Sequence, residues 1–510
     1  MSRSVPVPAA GCYLGRMSDA SIIPDFAEFS RLAEPGRMVP VAIEIPFDLD
    51  TPVTAFSKLR RGAFSFLLES VEGGERWARF SFLGSEPREV WRLDGSEIRL
   101  WTPAGGWGEP ETTSDPFGAF EAWITRHEPV EFAGLPRFWG GAVGFFGYDT
   151  VRWIERLPAA PPDDLGVPDA CFMSTEHMLI IDNLYSRAFA VTAVAVTADD
   201  DPAQLYRGAL DRLADWIRGL ERPHGLGPLG GGGGRTAEVV GNRSQDDYEA
   251  AVDRIREYIV AGDAYQVVVS QRAGASFGGD SLELYRALRR SNPSPYLFFI
   301  ELDGMRLIGS SPETLVRVED RIVTVRPIAG TRPRGVTPGE DEQHALDLLA
   351  DEKERAEHLM LVDLGRNDVG RVARPGSVEV SRFMEIERYS HVMHLVSEVS
   401  GALRDGVDAV DAFQACFPAG TLTGAPKVRA MEIVDELEPT RRGPYGGAAG
   451  YVGYGATNLD MAIVIRTLLS VGDRVYAQAG AGIVHDSEPA REWEETRHKA
   501  RVLLEALERV

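Results

Sequence analysis

Apolar residues recur along the chain in two patterns, one typical of strands and the other typical of helices. Before residue 227 the apolar stretches are short and rich in β-branched and aromatic residues, which predicts β-strands. These strands are expected at residues 64–69, 77–83, 97–101, 178–181 and 188–196. One helix, expected at about 202–221, ends this part of the chain.

After residue 235 long helical segments alternate with strands. Residues 246–260 carry apolar side chains at helical spacing, and Ser244 is suited to cap that helix. Further helices are expected at 281–290, 341–362 and 488–508. Strands are expected at 264–272, 296–302, 306–310, 314–318, 322–325, 447–454, 461–469 and 475–484. Hairpins and meanders mixed with long helices indicate an α+β fold with antiparallel sheets.

A glycine-rich segment divides the chain. Residues 227–234 read GPLGGGGG, a composition that favours a flexible connection. We therefore predict a disordered tail over residues 1–20, an N-terminal domain over 21–226, a linker over 227–235 and a C-terminal domain over 236–510. At 510 residues the chain is long enough for two domains or one large two-layer body.

Net charge and cysteine content narrow the class of protein. The formal net charge of -23 argues against nucleic acid as a partner, and it means that an anionic substrate needs local cations or a metal ion. Cys12, Cys171 and Cys416 are widely separated, which suits a reducing compartment. There is no apolar run of the roughly 20 residues needed to span a bilayer, and the first residues lack the apolar region of a secretory signal. We therefore expect a cytoplasmic protein without a membrane partner.

Two pairs of glutamates have helical spacing. Glu354 and Glu357 are three residues apart, and so are Glu492 and Glu495, so each pair shares one face of its helix. Facing pairs of this kind could hold Mg²⁺, which needs only one or two protein carboxylates. On spacing alone, ordinary surface glutamates are the better interpretation, and Glu495 is also placed to pair with Lys499.

Two glycine-rich stretches and one histidine are further candidates for a functional site. Residues 420–427 lack the spacing of a phosphate-binding loop, and no nucleophile motif is present. Residues 480–482 read Gly-Ala-Gly inside a predicted strand, where either a ligand approaches the backbone or the sheet packs tightly. His394 lies among apolar neighbours and, taken alone, is typical of a hydrogen-bonded core histidine.

Eight motifs in a fixed order resemble the chorismate-utilising enzymes, a family that comprises anthranilate, aminodeoxychorismate, isochorismate and salicylate synthases. The resemblance covers about residue 242 to the C-terminus, and it implies two antiparallel sheets packed as a sandwich, with helices outside and the active site in the cleft. The motifs are GDAYQ (262–266), SPE (311–313), RPIAGTR (326–332), DEKERAEH (351–358), VDLGRND (362–368), GAPK (424–427), GAGIV (480–484) and EWEET (492–496).

The resemblance also implies how an anionic substrate is bound. Mg²⁺ would be held by Glu357 and Glu495, with Glu354 and Glu492 acting through water, and would bind the ring carboxylate of chorismate. The other implied substrate contacts are Lys499 and the backbone around Gly480, Ala481 and Gly482 for the same carboxylate, Tyr445 and Arg466 for the enolpyruvyl carboxylate, and Thr421 nearby.

Three residues are implied to act in catalysis. Glu313 matches the family's general acid, which protonates the leaving C4 hydroxyl and needs a raised pKa for this purpose. His394 matches the residue that assists removal of the C2 proton and loss of pyruvate. Gln266 stands where the water-using members carry a basic lysine, which disfavours water as the nucleophile. Ala329 stands where aminodeoxychorismate synthases commonly carry lysine, which favours the anthranilate-forming branch.

The N-terminal half resembles the feedback element of that branch. The implied tryptophan pocket is lined by Glu69, Ser70, Pro295, Tyr296 and Leu297. The alternative is that residues 67–68 only form an edge strand, and some aminodeoxychorismate synthases hold tryptophan structurally in this place.

We therefore predict a Mg²⁺-dependent lyase that converts chorismate and ammonia to anthranilate and pyruvate through aminodeoxyisochorismate, with feedback inhibition by tryptophan. No glutaminase domain follows the motifs, so a separate glutamine amidotransferase subunit is expected to supply ammonia in a hetero-oligomer. The alternatives are the chorismate-binding component of an aminodeoxychorismate synthase and a non-catalytic tryptophan-sensing subunit.

Overall fold

The computed structural model describes residues 21–70, 79–229, 238–389 and 392–510. The predicted tail, the centre of the predicted linker and Cys12 lie outside the described residues. Within the described ranges, no helix is both long and apolar enough to cross a bilayer.

Most of the strands are between four and eleven residues long. They are β1 (Ser21–Ile23), β2 (Arg37–Pro46), β3 (Phe64–Glu69), β4 (Phe80–Ser85), β5 (Val90–Asp94), β6 (Glu97–Thr102), β7 (Gly106–Trp107), β8 (Glu111–Thr112), β9 (Glu128–Pro129), β10 (Gly141–Phe146), β11 (Ala170–Ser174), β12 (His177–Asp182), β13 (Arg187–Ala195), β14 (Val240–Gly241), β15 (Gln266–Ser276), β16 (Tyr296–Leu302), β17 (Met305–Ser311), β18 (Thr314–Glu319), β19 (Ile322–Val325), β20 (Ile328–Pro333), β21 (Glu379–Arg388), β22 (Val392–Ala402), β23 (Gly424–Ala425), β24 (Ala448–Gly453), β25 (Leu459–Ile463), β26 (Thr467–Val471) and β27 (Arg474–Ile483).

Helices connect and cover these strands. They are α1 (Phe26–Leu32), α2 (Pro52–Leu59), α3 (Pro116–Ile124), α4 (Pro202–Leu220), α5 (Gln245–Ala261), α6 (Ser281–Ser291), α7 (Pro338–Ala350), α8 (Glu352–Gly370), α9 (Ala409–Cys416), α10 (Gly420–Thr423), α11 (Lys427–Leu437) and α12 (Pro489–Glu508).

The described strands form two sheets, which are antiparallel except for the short pair β2–β9. The first sheet has the order β1-β2-β13-β12-β4-β3-β16-β17-β26-β27-β15-β14, with β9 beside β2 and β23 beside β15. The second sheet has the order β20-β22-β19-β18-β25-β24-β10-β11-β5-β6-β7, with β21 beside β22 and β8 beside β6.

Strand β2 shows why the sheets stack. Its side chains alternate, so that Met38 and Ala42 join the core shared with the second sheet, while Val39, Val41 and Ile43 pack in a separate core beneath helices. The helical core also contains residues of α1, α2, α4, α6 and α12. The first sheet is therefore covered on both faces.

Strands from both sides of residues 227–235 are neighbours in each sheet. In the first sheet β3 pairs with β16, and in the second sheet β10 pairs with β24. The division at 227–235 stays a prediction, and it does not separate two independent sheets.

Most predicted elements agree with the structure within a few residues. Ser244 caps α5 through a reciprocal hydrogen-bonding arrangement with Asp247, as expected. The strand predicted at 77–83 corresponds to β4, and its first two residues lie outside the described ranges.

The single helix predicted at 341–362 is wrong, because α7 and α8 are separate helices. Asp351 lies between them with an extended backbone (φ −72°, ψ 110°). Its side chain accepts hydrogen bonds from the N–H groups of Lys353 and Glu354 and so caps α8. A capping residue at this position ends one helix and begins the next.

The single strand predicted at 461–469 is also wrong. The chain forms β25 in the second sheet, crosses between the layers, and continues as β26 in the first sheet. Arg466 lies in this crossover with φ 49°, a left-handed conformation that is uncommon outside glycine. A continuous apolar run therefore belongs to two layers.

Candidate active site

Two crossovers between the sheets lie side by side. The chain passes Pro312 and Glu313 between β17 and β18, and it passes Arg466 between β25 and β26. The Glu313 carbonyl accepts a hydrogen bond from the Ile463 N–H, and the Arg466 carbonyl accepts one from the Ser310 N–H, both at 3.0 Å. These bonds hold the two crossovers together in the cleft.

A cavity of about 610 Å³ lies at these crossovers, which is large enough for a small-molecule substrate. Its walls come from β15 and β27 of the first sheet, β20 and β22 of the second sheet, and helices α8 and α12. The predicted site residues that line it are Gln266, Glu313, Glu354, Glu357, His394, Thr421, Tyr445, Arg466, Gly480, Gly482, Glu492, Glu495 and Lys499.

The Glu313 carboxyl is buried at the wall of this cavity. Its Oε1 accepts a hydrogen bond from the Thr421 hydroxyl at 3.0 Å. Burial raises the pKa of Glu313 to about 8, against the smaller opposing effects of the Thr421 hydrogen bond and the positive charge of Arg466. At neutral pH the carboxyl is therefore protonated and can donate a proton.

Arg466 provides a positive charge for an anion. Its side chain is half-buried, and none of the ion pairs in the described part of the chain includes its guanidinium. Burial lowers the pKa of Arg466, while the nearby Glu313 raises it. Beside it, the buried Tyr445 hydroxyl is hydrogen-bonded to the backbone of Gly480. A cationic fork facing a cavity is suited to bind a carboxylate.

The His394 ring faces the same cavity from β22. Its Nδ1 lies 3.0 Å from the Thr331 hydroxyl and 3.1 Å from the Gly330 carbonyl oxygen. Burial lowers the pKa of His394 to about 4, so that the ring is neutral at physiological pH. Because a carbonyl only accepts, Nδ1 carries the hydrogen in the bond to Gly330, and Nε2 retains its lone pair.

Four glutamates line the opposite part of the cavity. Glu357 accepts a hydrogen bond from Gln266 at 3.0 Å, and Glu354 pairs with Arg332 at 3.1 Å. Glu495 pairs with Lys499 at 2.8 Å, and the Lys499 ammonium also donates to the Gly480 carbonyl at 3.0 Å. Among the described residues, no group of three or more acidic, histidine or cysteine side chains is already gathered in metal-binding geometry.

The donor set nevertheless fits a hard divalent cation. Burial raises the pKa of Glu492, and the negative charge of Glu495 raises it further, which shows that the two carboxylates repel one another. A cation between such groups would offset this repulsion, and Mg²⁺ needs only one or two of them.

The glycines of β27 are required by side-chain packing. A Cβ atom at Gly480 would lie 2.9 Å from the Tyr445 hydroxyl oxygen, and one at Gly482 would lie 2.4 Å from the Gln266 amide nitrogen. Tight packing, one of the two predicted explanations, therefore applies at both positions. The packed side chains themselves line the cavity.

Among the residues predicted for catalysis, substrate binding or metal binding, only Ala481 does not line this cavity. Alternation along β27 turns its side chain to the opposite face, where it is buried with Val267 and Val269. Sequence reasoning also missed four polar lining residues, namely Thr331, Lys353, Gln478 and Ser487. The same alternation could have identified Gln478, which shares its face with Gly480 and Gly482.

A second cavity, also of about 610 Å³, lies elsewhere between the sheets. All five residues predicted for the tryptophan pocket line it, namely Glu69, Ser70, Pro295, Tyr296 and Leu297. The sequence did not identify the aromatic side chains of Phe82, Phe138 and Tyr451, which also line it.

Polar groups of the second cavity are held by neighbouring elements. Glu69 accepts hydrogen bonds from Tyr285 at 2.5 Å and from Arg289 at 3.0 Å, both on α6. The Tyr296 hydroxyl lies 2.8 Å from both the Thr314 hydroxyl and a carboxylate oxygen of Asp460. Because Thr314 directly follows Glu313, this contact connects the two cavities.

Comparison with known proteins was made by sequence and by structure. A sequence profile of the family described as chorismate binding enzyme matches residues 72–505. Anthranilate synthase component 1 of Pseudomonas putida is 48% identical over 489 residues, which cover 94% of this chain and 97% of that protein. Anthranilate synthase component 1 of Aquifex aeolicus is 44% identical over 494 residues, which cover 94% and 97% respectively.

Solved structures show the same architecture. Anthranilate synthase component I from Streptococcus pneumoniae superposes with a TM-score of 0.75 at 36% identity, covering 90% of this chain and 99% of that one. The menaquinone-specific isochorismate synthase of Escherichia coli has a TM-score of 0.67 at 19% identity, covering 94% and 98%, and shares the fold. The family predicted from the motifs and the predicted fold of two antiparallel sheets with helices are both confirmed.

Proposed function

The chain belongs to the chorismate-binding enzymes, and we infer that it is the large, chorismate-binding component of an anthranilate synthase. The observation that carries this proposal is that one cavity contains both a proton donor and a cation. Glu313 is a buried, protonated carboxyl, and Arg466 is a cation without an ion-pair partner among the described residues. Together they suit an anionic substrate that loses a hydroxyl group.

The first step forms one bond and breaks another. Ammonia attacks ring C2 of chorismate, the double bonds shift, and the C4–oxygen bond breaks. Glu313 gives its proton to the departing hydroxyl, which leaves as water, and the new amine loses its surplus proton. Thr421 holds the Glu313 carboxyl in place by the hydrogen bond at 3.0 Å.

The second step makes the ring aromatic. His394 Nε2 takes the proton from C2, the bond between the ring and the enolpyruvyl oxygen breaks, and pyruvate leaves after taking up a proton. The hydrogen bonds of Nδ1 to Gly330 and Thr331 orient the ring for this role. Arg466 and Tyr445 hold the enolpyruvyl carboxylate in position during both steps.

We propose that Glu357 and Glu495 hold Mg²⁺, with Glu354 and Glu492 supporting it through water. The ion would supply positive charge for the ring carboxylate, which an acidic protein would otherwise repel. Lys499 and the backbone of Gly480 and Gly482 lie beside these glutamates and would complete the carboxylate site.

Ammonia is the proposed nucleophile because Gln266 is not basic and so cannot activate water. Its side-chain amide donates a hydrogen bond to Glu357. Ala329, which lines the cavity, favours the anthranilate-forming branch over aminodeoxychorismate synthesis. We propose a separate glutamine amidotransferase subunit as the ammonia source in a hetero-oligomer. A cytoplasmic location stays a prediction that rests on the sparse cysteines.

A fluorescence assay tests the activity. The chain is incubated with chorismate, Mg²⁺ and ammonium at about pH 8.5, where enough free ammonia is present, with and without tryptophan. We expect anthranilate to form and tryptophan to suppress it. A product that retains the enolpyruvyl group would instead identify an aminodeoxychorismate synthase, and tryptophan binding without turnover would identify a sensing subunit.

The metal assignment has its own test. Glu357→Gln should abolish turnover and leave tryptophan binding intact, because the carboxylate lies in the first cavity and not in the second. Glu494→Gln, on the same helix as Glu495 but not lining the cavity, is the matched control and should remain active. Full activity of Glu357→Gln at low Mg²⁺ would refute the assignment.

We propose that the second cavity binds tryptophan. Its aromatic side chains, Phe82, Phe138 and Tyr451, suit an indole, and the carboxylate of Asp460 suits an ammonium group. Calorimetric titration with tryptophan measures this binding directly, and Phe138→Ala should weaken it. Unchanged affinity in that variant would place the tryptophan elsewhere.

A further inference from the structure

A small chamber lies directly behind Glu313. Its volume is about 50 Å³, enough for one or two water molecules but not for chorismate. It shares Glu313, Thr421 and Leu361 with the substrate cavity. The only described lining residues that are not buried are Leu364, Gly420 and Thr421.

The far side of the chamber carries a second carboxyl, Asp368. Its side chain pairs with Lys427 at 2.9 Å, and the Lys427 ammonium also contacts the Cys416 carbonyl at 3.5 Å. Lys427 is only 12% exposed and Asp368 9%, so this ion pair is almost completely removed from solvent. Asp368 and Lys427 come from two of the motifs, residues 362–368 and 424–427, to which the proposed chemistry assigns no role.

Ion pairs of this kind contribute little net stability, because desolvation offsets the attraction between the charges. Burial raises the pKa of Asp368, although Lys427 opposes that effect; Arg371 and Asn367 are the other polar groups that act on it. Burial therefore favours the protonated form of Asp368, and the Lys427 ammonium favours the carboxylate. Lys427 connects it to the more exposed end of α11.

The proposed reaction leaves one requirement open. Glu313 gives away its proton in every cycle, and it is buried with substrate on one side. It must be protonated again before the next molecule of chorismate can react. The chamber reaches Glu313 along residues most of which do not line the substrate cavity.

We propose that Asp368 returns the proton to Glu313 through water in this chamber. A Lys427 N–H bond breaks as the Asp368 carboxylate takes up its proton, and Asp368 then gives a proton to the water. The same water gives a proton to a Glu313 oxygen, and the neutral Lys427 amine is protonated again from solvent. No net charge is created, and the surplus proton released from the amine balances the cycle. This inference rests on the proposed function.

Two variants test the relay in the full chain with chorismate, Mg²⁺ and ammonium. Asp368→Asn removes the proton donor, and Ala419→Val narrows the chamber while the ion pair remains. Both variants should lower kcat about tenfold or more, an effect of the size expected when a proton transfer is slowed. The KM for chorismate should be unchanged. The solvent deuterium isotope effect on kcat should rise.

Matched controls separate the relay from structural damage. Asp435→Asn breaks another buried ion pair, with Arg152 at 2.8 Å, and Ala209→Val enlarges a buried helical alanine; neither residue lines the chamber. Both controls should keep the isotope effect of the unchanged protein, whatever their melting temperatures.

The outcomes are distinct. Unchanged kcat, or a lower kcat with an unchanged isotope effect, in Ala419→Val overturns the relay, and this holds even if Asp368→Asn does not fold. If the unchanged protein forms aminodeoxychorismate, the proposed branch fails but the relay is still tested, because the C4 hydroxyl leaves in that reaction too. If it does not consume chorismate, both proposals fall.

Discussion

Glu313 shows how a catalytic property arises from the position of a single side chain. Its carboxyl is surrounded by protein, and its pKa of about 8 lies above the ordinary value of 4.5. The folded state therefore binds a proton that the unfolded state releases between these two pH values. The free energy of unfolding falls as pH rises through this window, so that Glu313 destabilises the fold at neutral pH.

Glu313→Gln should therefore abolish turnover and stabilise the protein. At pH 7 the gain is expected to be about 3 kcal/mol, since pH 7 lies about 2.5 units above the ordinary pKa and each unit corresponds to about 1.4 kcal/mol. The gain should shrink toward pH 4, where the unfolded carboxyl is also largely protonated. Urea unfolding at both pH values measures it, with the surface variant Glu494→Gln as control. A loss of stability at pH 7 would contradict the buried, neutral state.

The same residue sets an upper pH limit for activity. If the free ammonia concentration is held constant, kcat should fall about tenfold per pH unit above about 8, because Glu313 then loses its proton. On the acid side, activity should persist until His394 is protonated near pH 4. A pH profile in buffers of matched ionic strength tests this. A rate that still rises at pH 9.5 would exclude Glu313 as the acid.

The sequence could identify these residues only through the motifs that contain them. Nothing in the neighbourhood of Glu313 along the chain indicates burial, and the apolar neighbours of His394 indicate burial but no catalytic role. Ala481 was predicted to contribute its backbone, which stays a prediction, while strand alternation turns its side chain away from the cavity. Membership in a motif does not determine which face a side chain occupies.

At the level of elements, Asp351 fixes where α8 begins, the helix that carries two of the glutamates proposed to bind Mg²⁺. Its carboxylate accepts hydrogen bonds from the N–H groups of Lys353 and Glu354, and it also pairs with Arg332 at 2.6 Å. These bonds lower the pKa of Asp351, chiefly through the Glu354 N–H, so the stabilisation is present at neutral pH and lost on strong acidification. The cap therefore orients the helix that carries Glu354 and Glu357.

Asp351→Ala should lower the free energy of unfolding by about 1 kcal/mol, the usual effect of losing an N-cap. Asp115→Ala, which removes the cap of α3 far from the site, should do the same. Only Asp351→Ala should raise the Mg²⁺ concentration needed for half-maximal activity, by several-fold. Titration of activity with Mg²⁺ in both variants checks this. Equal Mg²⁺ responses would mean that the cap is purely structural.

Most of the elements that hydrophobic patterning predicted are present, because strand and helix periods are local properties. Patterning did not detect the two interruptions, at Asp351 and Arg466, because apolar residues continue on both sides of each break. At the second interruption Arg466 adopts a left-handed backbone conformation. Local propensity does not predict this conformation for a residue other than glycine. Both interruptions lie next to the candidate active site. Hydrophobic patterning was therefore least informative about that part of the chain.

For the whole molecule, both cavities lie between the same two sheets and are joined by a short segment. Tyr296 lines the second cavity, and its hydroxyl contacts Thr314, which directly follows Glu313. A ligand that moves Tyr296 is therefore expected to act on the backbone next to Glu313, the proposed general acid. Feedback would require that tryptophan favours one of two arrangements of this segment.

Tyr296→Phe should separate binding from inhibition. The ring still lines the cavity, so that the tryptophan Kd should change by only a few-fold. The hydrogen bonds to Thr314 and Asp460 are lost, so that saturating tryptophan should leave a larger residual activity. Calorimetry and inhibition curves measure the two effects, with Tyr258→Phe as a control remote from both cavities. Complete inhibition in Tyr296→Phe would exclude this connection.

The sandwich architecture came from the family resemblance and not from patterning. Local patterns indicated antiparallel strands, but they could not show that β3 pairs with β16 or that β10 pairs with β24. Such pairings depend on contacts between distant residues, which no local window contains. The division of the chain at the glycine-rich segment was predicted from composition alone. Each sheet contains strands from both sides of that segment.

This sharing of strands has a consequence for synthesis on the ribosome. Gly141 lies in the first third of the chain, yet its partner in the sheet is Gly453. The first half must therefore wait, with unpaired strand edges exposed, until almost all of the polypeptide has been made. A premature stop after β23 would leave β10 without its neighbour, although every residue of the N-terminal half had been translated. Damage near the end of the gene should thus cause aggregation that begins in the part made first.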